Sequence, residues 1–343
     1  MTTQMKDNKF EAKDFKSSQY IRWCPGCGDH AVISALHRAM AKIGVPPYRT
    51  AVISGIGCSS RLPYYMNTYG FHTIHGRGAA IASGVKIANP DLSVWLATGD
   101  GDCLAIGGNH FIHAIRRNID LNILLLNNKI YGLTKGQYSP TSDRGFKSKT
   151  SPFGTVEDPF YPVELALGAR ATFFARGVDV DIANTSVMMV DAAKHKGASV
   201  VEVLQNCVIF NDNVHSSVAT REDRINNTIL LKHGEKMLFG KDNSKGIVKD
   251  SDYTLRAIIV GENGHTIDDV LTHNAHSINP SLHLQLGLMS PEDGLPIALG
   301  VIREINAPNY TEELLKQEEY VKANNPNVTL IDYLKSKNSW EVK

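Results

Sequence analysis

Apolar residues in this chain gather in short runs set between longer stretches with a helical repeat. Residues 92–97 and 121–126 read as buried strands, and residues 51–53, 171–174, 199–204 and 255–260 predict further ones. Ile33, Leu36, Met40 and Ile43 recur on one face of a helix. Asp29 is placed to cap that helix, and Gly44 followed by Pro46-Pro47 ends it. Residues 181–196 form a second helix by pattern, with Ile182, Val187, Met188 and Ala192 as its inner face. Small residues over 79–85 suit a helix packed closely on a sheet, and a short helix precedes Gly168. The tyrosine-rich stretch 62–71 reads as irregular. Residues 138–160 have no period and read as a loop over the active site, since loops beyond about 12–15 residues are usually functional or disordered. Strands alternating with helices predict an α/β fold with a doubly wound, mainly parallel sheet.

From about residue 225 the pattern changes. Residues 232–249 are polar and charged with short apolar insertions, as in a hairpin, and residues 311–323 predict a charged helix. The expected organisation is an α/β domain over 1–225 and a C-terminal extension over 226–343, packing on the core or on a partner subunit. No internal repeat is visible.

Composition narrows the class. A chain of 343 residues with 42% hydrophobic content has material for a proper core. A net charge of +1 gives no general argument for nucleic acid or an anionic membrane. No apolar run approaches the ~18 residues that span a bilayer. The first residues lack the apolar stretch of a secretory signal. Residues 1–20, with Lys6, Lys9, Lys13 and Lys16, read as an extended charged arm. Five cysteines, an odd number in a long chain, argue for a reducing compartment, so the expected location is the cytoplasm.

Candidate chemistry sits where strands end. Gly99-Asp100-Gly101-Asp102 follows one predicted strand and Asn127-Asn128 the next, with a helical segment between. In parallel α/β sheets that edge binds ligands. Asp100 offers a carboxylate, Asn128 an amide oxygen and Ile130 a backbone carbonyl, a set of hard oxygens suited to magnesium. Gly99 and Gly101 allow close backbone approach to a diphosphate. Either motif alone reads as a turn; together they favour magnesium diphosphate.

Cys24 and Cys27 form a Cys-x-x-Cys pair, while Cys58 and Cys207 each follow a predicted strand. Four thiolates could therefore meet at one sheet edge. Their spacing alone is compatible with structural zinc, with a redox pair or with a 4Fe-4S cluster. Cys103 reads as a buried structural thiol. His110 and His113 read as packed histidines on one helix. Lys135, just past the Asn motif, is the basic residue placed nearest a substrate carboxylate, with Arg61 and Arg77 weaker candidates.

The GDG and Asn-Asn pair at this distance resembles the diphosphate-binding motif of thiamine-diphosphate enzymes. With Cys24-Pro25-Gly26-Cys27-Gly28 upstream and Tyr131-Gly132-Leu133-Thr134-Lys135-Gly136-Gln137 downstream, the chain resembles the beta subunits of the 2-oxoacid:ferredoxin oxidoreductases, the 2-oxoglutarate enzyme most of all. The likeness covers roughly the first two-thirds of the chain. It implies the diphosphate-domain fold of thiamine enzymes, with thiamine diphosphate, Mg2+ and a 4Fe-4S cluster as cofactors. It implies cluster ligation by Cys24, Cys27, Cys58 and Cys207, and magnesium ligation by Asp100, Asn128 and the carbonyl of Ile130. Diphosphate and thiazole contacts match Ile56, Gly57, Cys58, Ser59, His75, Gly101, Asp102, Gly132 and Leu133.

The implied reaction is reversible oxidative decarboxylation of 2-oxoglutarate, with the acyl group passing to coenzyme A and electrons passing singly to ferredoxin. Thiamine enzymes also need a carboxylate from a separate pyrimidine-binding domain, and this chain has one α/β unit with one diphosphate motif. The missing half, and most of the coenzyme A site, would come from an alpha subunit. Alternatives are the same chemistry on pyruvate or another 2-oxoacid, and a non-redox thiamine decarboxylase or synthase with structural zinc. An electron-transfer subunit with a vestigial thiamine site is a third, opposed by the intact Asp100 and Asn128.

Overall fold

The apolar runs become strands covered on both faces. The structure, a computed structural model, describes residues 10–326, 329–335, 340 and 342. In chain order its elements are α1 (Asp29–Ile43), β1 (Thr50–Ser54), β2 (Tyr69–His72), α2 (Gly78–Ala88), β3 (Ser93–Gly99), α3 (Asp100–Leu104), α4 (Gly108–Arg116) and β4 (Asn122–Asn127). There follow α5 (Pro162–Gly168), β5 (Phe173–Val178), α6 (Ile182–Lys194), β6 (Ser199–Leu204), α7 (Arg221–Asn227) and β7 (Thr228–Leu231). The remainder comprises β8 (Leu238–Phe239), β9 (Lys245–Lys249), β10 (Leu255–Ile259), α8 (Ser281–Leu288), β11 (Ile297–Glu304), α9 (Tyr310–Asn324) and α10 (Leu330–Leu334).

Eight strands form the main sheet in the order β2-β1-β3-β4-β6-β5-β11-β7. The first six are mutually parallel; β11 runs antiparallel to β5, and β7 parallel to β11. Alternate residues of each strand enter opposite cores, as the two-residue repeat of a strand requires. Ile53, Leu96, Ile123 and Val200 face a core shared with α2, α4, α5 and α8. Val52, Trp95, Leu124 and Val201 face a core shared with α1 and α6. This is the expected doubly wound, mainly parallel α/β fold. It brings the C-terminal ends of β1, β3, β4 and β6 to one edge.

Several local expectations change. Asp29 is the first residue of α1 rather than its cap; it is buried, and neither carboxylate oxygen has a hydrogen-bond partner. Burial lifts its pKa to about 7. Gly44 does end α1, with φ 76° and its N–H on the Met40 carbonyl. Residues 62–71 include an edge strand, β2. Its four residues are all exposed in this chain, so no apolar alternation marked it. Val187 is 46% exposed and lies off the inner face of α6, which Met188, Met189 and Ala192 supply. β5 runs past Gly177, where a Cβ would stand 2.6 Å from Thr185 Oγ1 of α6. The hairpin expected over 232–249 forms as β8 and β9, joined by β10 in a small antiparallel sheet. Of the charged arm, residues 1–9 with Lys6 and Lys9 lie outside the described residues.

Residues after 225 do more than pack on the domain: β7 and β11 are strands of its main sheet. Gly300 of β11 has φ 96°, and the register shifts between Val301 and Arg303. A buried ion pair links this segment to the core. Arg176 Nε donates to Glu202 Oε2 at 2.8 Å, Arg176 also donates to the Gly287 carbonyl, and Asn127 donates to Glu202 Oε1. Glu202→Ala leaves a buried guanidinium unpaired and should cost about 3–5 kcal/mol. Arg176→Met combined with Glu202→Leu should cost less than Glu202→Ala alone, read by urea unfolding. A double variant as unstable as the single one would show that the damage lies in packing rather than in the stranded charge.

Candidate active site at the strand ends

The loop after β1, the turn before α2, the start of α3 and the loop after β4 surround one cavity of about 570 Å³. Its wall contains each residue expected at the cofactor and magnesium sites there: Ile56, Gly57, Cys58, Ser59, His75, Gly101, Asp102, Gly132 and Leu133, with Asp100, Asn128 and Ile130.

Asp102 holds three of these segments together. Its Oδ1 accepts from Ile56 N at 2.9 Å, Gly76 N at 2.8 Å and His75 Nδ1 at 2.8 Å; its Oδ2 accepts from Thr98 Oγ1 at 2.8 Å. The carboxylate is buried and occupied by the protein itself, so its side chain shapes the cavity. His75 Nε2 is left without a protein partner among the described residues. Gly55 is needed here because a Cβ would overlap the Asp102 carboxylate. Gly101 is needed because a Cβ would run into the Tyr131 ring, whose hydroxyl donates to the Gly101 carbonyl at 2.8 Å. Burial, with Asp100 and Asp102 nearby, lifts the Tyr131 hydroxyl to about 12.

Asp100 is also buried. Ser139 Oγ at 2.5 Å and Thr141 Oγ1 at 2.6 Å donate to its Oδ2. Burial raises its pKa, and the two hydroxyls offset part of that rise. Ser139 and Thr141 begin the segment expected to lie over the active site. That expectation is corrected: none of residues 138–160 lines the cavity, and Ser139 and Thr141 support Asp100. Thr141, Asp143 and residues 159–162 line a second cavity together with residues 287–293. Beneath Asn127, His215 Nε2 contacts its carbonyl at 2.9 Å, and burial lowers the His215 pKa to about 4.

The four cysteines expected to act together line one smaller cavity of about 240 Å³. Cys58, Asn128, Gly132 and Leu133 border both cavities. A Cβ on Gly132 would stand 3.5 Å from Cys207 Sγ and 3.6 Å from Cys58 Sγ, so glycine leaves open the space flanked by these sulfurs. Trp23 Nε1 donates to the Cys58 carbonyl at 2.7 Å, and Gly28 N donates to the Asn206 carbonyl at 3.2 Å. These bonds tie the Cys24–Cys27 turn to the loops carrying Cys58 and Cys207. Burial, then Asp29, pushes the Cys58 thiol up to about 12 and raises Cys27 as well. Among the described residues, no three His, Cys, Asp or Glu side chains gather tightly enough for a single ion. Cys103 is buried in the core, as expected.

Lys135, with φ 78°, borders the cysteine cavity together with Arg22 and Arg61, not the diphosphate cavity. It is exposed and has no ion-pair partner among the described residues. Arg77 bonds the Ile106 carbonyl, and His113 lies beside Arg116 on α4; neither they nor His110 border these cavities. Sequence reasoning gave no role to Ser139, Thr141 or Gln205. Each is an ordinary polar residue whose partner is remote in sequence.

Comparisons with known proteins agree with this geometry. Residues 55–203 match the thiamine pyrophosphate enzyme, C-terminal TPP binding domain. Over 198 residues, 58% of this chain and 62% of the relative, the sequence is 46% identical to 2-oxoacid:ferredoxin oxidoreductase 1, subunit beta, of Aeropyrum pernix. Over 338 residues, 98% of this chain and 90% of the relative, it is 43% identical to the 2-oxoglutarate oxidoreductase subunit KorB of Mycobacterium tuberculosis. This chain belongs to the family of 2-oxoacid:ferredoxin oxidoreductase beta subunits. A solved structure is similar too: 2-oxoglutarate:ferredoxin oxidoreductase from Magnetococcus marinus, with 2-oxoglutarate, coenzyme A and succinyl-CoA bound. Its matching chain is 29% identical, with a TM-score of 0.75, over 97% of this chain and 98% of that one. The matched TPP binding domain contains every residue that lines the 570 Å³ cavity except Gln205.

Asp102→Ala in this beta subunit strands two backbone N–H groups and should cost about 2–5 kcal/mol. Asp102→Asn, which keeps an acceptor for them, should cost less. Thermal unfolding reads both, and equal losses would mean that the negative charge, rather than an acceptor oxygen in that place, holds the segments together.

Proposed function

We propose that this chain is the beta subunit of a 2-oxoglutarate:ferredoxin oxidoreductase, completed by an alpha subunit. The carrying observation is the pair of adjoining cavities, one bordered by hard oxygens and glycines, the other by four cysteines, with Gly132 between them. The first suits magnesium and a diphosphate. The second suits a group with several metal atoms, because its sulfurs ring a space rather than a point. Their names carry the substrate for two relatives in this reading: the Mycobacterium tuberculosis subunit, and a 2-oxoglutarate synthase subunit KorB from Archaeoglobus fulgidus, 43% identical over 68% of this chain.

Asp100, Asn128 and the Ile130 carbonyl would hold Mg2+, and Cys24, Cys27, Cys58 and Cys207 a 4Fe-4S cluster. Bound here, thiamine diphosphate supplies an electron sink for losing carbon dioxide from a 2-oxoacid, and the cluster a one-electron path to ferredoxin. The chain's own residues do the positioning. Ser139 and Thr141 favour the ionised form of Asp100 and aim it, as hydrogen bonds to a metal-binding carboxylate do. Asp102 fixes His75 with Nε2 free to meet a phosphate oxygen. Tyr131 braces Gly101 so that the backbone can approach the diphosphate. Lys135, which has no ion-pair partner among the described residues and lines the cysteine cavity with Arg61, attracts the substrate carboxylate.

The exposed apolar residues Phe71, Ile74 and Ile106, close in sequence to His75 and Asp102, fit coverage by the alpha subunit, which would bring the pyrimidine half and most of the coenzyme A site. Among the described residues no helix is long and apolar enough to cross a membrane. Five unpaired cysteines fit the reducing cytoplasm.

The co-purified complex should contain iron and acid-labile sulfide and no stoichiometric zinc. Under anaerobic conditions and without coenzyme A, 2-oxoglutarate should give the EPR signal of a reduced cluster, and pyruvate should not. Signal from pyruvate alone would reassign the substrate; none from either, in a complex holding iron and thiamine diphosphate, would reject one-electron transfer from both acids. Asp100→Asn should weaken Mg2+-dependent thiamine diphosphate binding at least tenfold, read by calorimetry. Unchanged affinity would remove Asp100 from the metal site.

A further inference from the structure

Gln205, the residue after β6, is 1% exposed and borders the diphosphate cavity, yet neither candidate site uses it. Its backbone N–H bonds the Asn127 carbonyl at 3.0 Å, which fixes its Cα beside the Asn motif. Its side chain reaches both sites. Oε1 accepts from Asn128 Nδ2 at 2.9 Å. Nε2 donates to the Asn206 carbonyl at 2.7 Å and to Cys27 Sγ at 3.5 Å. One carboxamide thus spans the two candidate sites with both of its amide hydrogens and its oxygen engaged.

The direction of this chain of bonds follows from chemistry. A metal-bound thiolate and a backbone carbonyl only accept hydrogen bonds. Gln205 must therefore turn its NH2 toward Cys27 and Asn206, and its oxygen toward Asn128. Asn128 must then turn its own NH2 toward Gln205, which leaves Asn128 Oδ1 on the side away from Gln205. Reversing either amide would set donor against donor or acceptor against acceptor. The surroundings hold Gln205 in this pose. Position 28 must be glycine, since a Cβ there would stand 2.8 Å from Gln205 Cγ and overlap the Asp179 carboxylate. Asp179 Oδ2 in turn accepts from Asn206 N at 2.8 Å.

We propose that Gln205 is a positioning residue that couples the two sites, orienting the Asn128 oxygen toward magnesium while donating a hydrogen bond to the Cys27 sulfur. The proposal rests on the reading of Asn128 as a magnesium ligand and Cys27 as a cluster ligand. A donor on a ligand sulfur stabilises the more negative, reduced form of a cluster and raises its potential. Because one amide serves both ends, occupancy of one site changes the strength of the bond at the other. That coupling is reciprocal.

The test uses the complex with its partner subunit. Wild type, Gln205→Glu and Gln205→Met are compared by iron and sulfide content, by EPR-monitored redox titration with and without Mg2+ and thiamine diphosphate, and by calorimetric titration of the cofactor. Both variants lose the N–H···S bond. Their cluster potential should fall by the equivalent of a tenfold change in the reduction equilibrium, about 59 mV for one electron. Thiamine diphosphate should bind about tenfold more weakly to Gln205→Met, which loses the acceptor for Asn128 Nδ2, since metal affinity typically falls 10–100-fold when an outer partner is lost, and less weakly to Gln205→Glu, which keeps that acceptor. The shift in potential that Mg2+ and thiamine diphosphate produce in wild type should vanish.

Should both variants fail to assemble a cluster, Asn128→Leu takes their place. It leaves Gln205 and Cys27 present, and the potential should still fall because the carboxamide is no longer held from its oxygen side. A loaded cluster whose potential is unmoved in all assembled variants overturns the proposal, as does a cofactor-induced shift that survives in them. A wild-type complex with zinc and no iron overturns the cluster reading itself, and the proposal with it.

Discussion

A carboxylate buried at the edge of the sheet needs donors around it. Asp102 meets that constraint by drawing Ile56 N, Gly76 N, His75 Nδ1 and Thr98 Oγ1 onto two oxygens. The loop after β1, the turn before α2 and the end of β3 are held in register by that one residue. The glycines follow from it. Gly55 and Gly76 sit where the carboxylate and the neighbouring backbone leave no room for a side chain. What remains open between these segments is the diphosphate cavity.

The same logic extends through the polar layer behind the site. Asp100 is held by Ser139 and Thr141, Asn127 by Glu202, and Glu202 by Arg176, which reaches the Gly287 carbonyl in α8. Each buried polar group is satisfied by a neighbour that needs satisfying in turn. The part of the chain after residue 225, with no chemistry of its own visible in sequence, is joined in this way to the proposed magnesium site. That gives a physical reason for β7 and β11 to belong to the main sheet rather than to a separate lobe.

The cysteine cavity presents the opposite problem. Two of its thiols, Cys27 and Cys58, are partly buried near the unpaired carboxylate of Asp29, and burial and that charge disfavour their thiolates. A resident multi-metal cation in the proposed cluster site would reverse that balance, because coordinated sulfur is deprotonated outright. With such a group bound, the site would suit thiolates better than when empty, and folding and loading of this region would be coupled.

By itself the sequence determined the central strands, the helices between them and the motifs at their ends. Long apolar runs and glycine-flanked acidic or amide residues are local signals, so each motif could be read where it stands in the chain. The edge strand β2 gave no such signal because its residues are exposed. β11 was hidden by Gly300 and Arg303, residues that weaken a strand pattern. Only tertiary structure placed Lys135 at the cysteine cavity and turned the 138–160 segment into a support for Asp100. It also made Gln205 a bridge between Asn128 and Cys27. Those outcomes depend on hydrogen bonds between residues far apart in the chain, where a glutamine or a serine carries no mark of the partner it will meet.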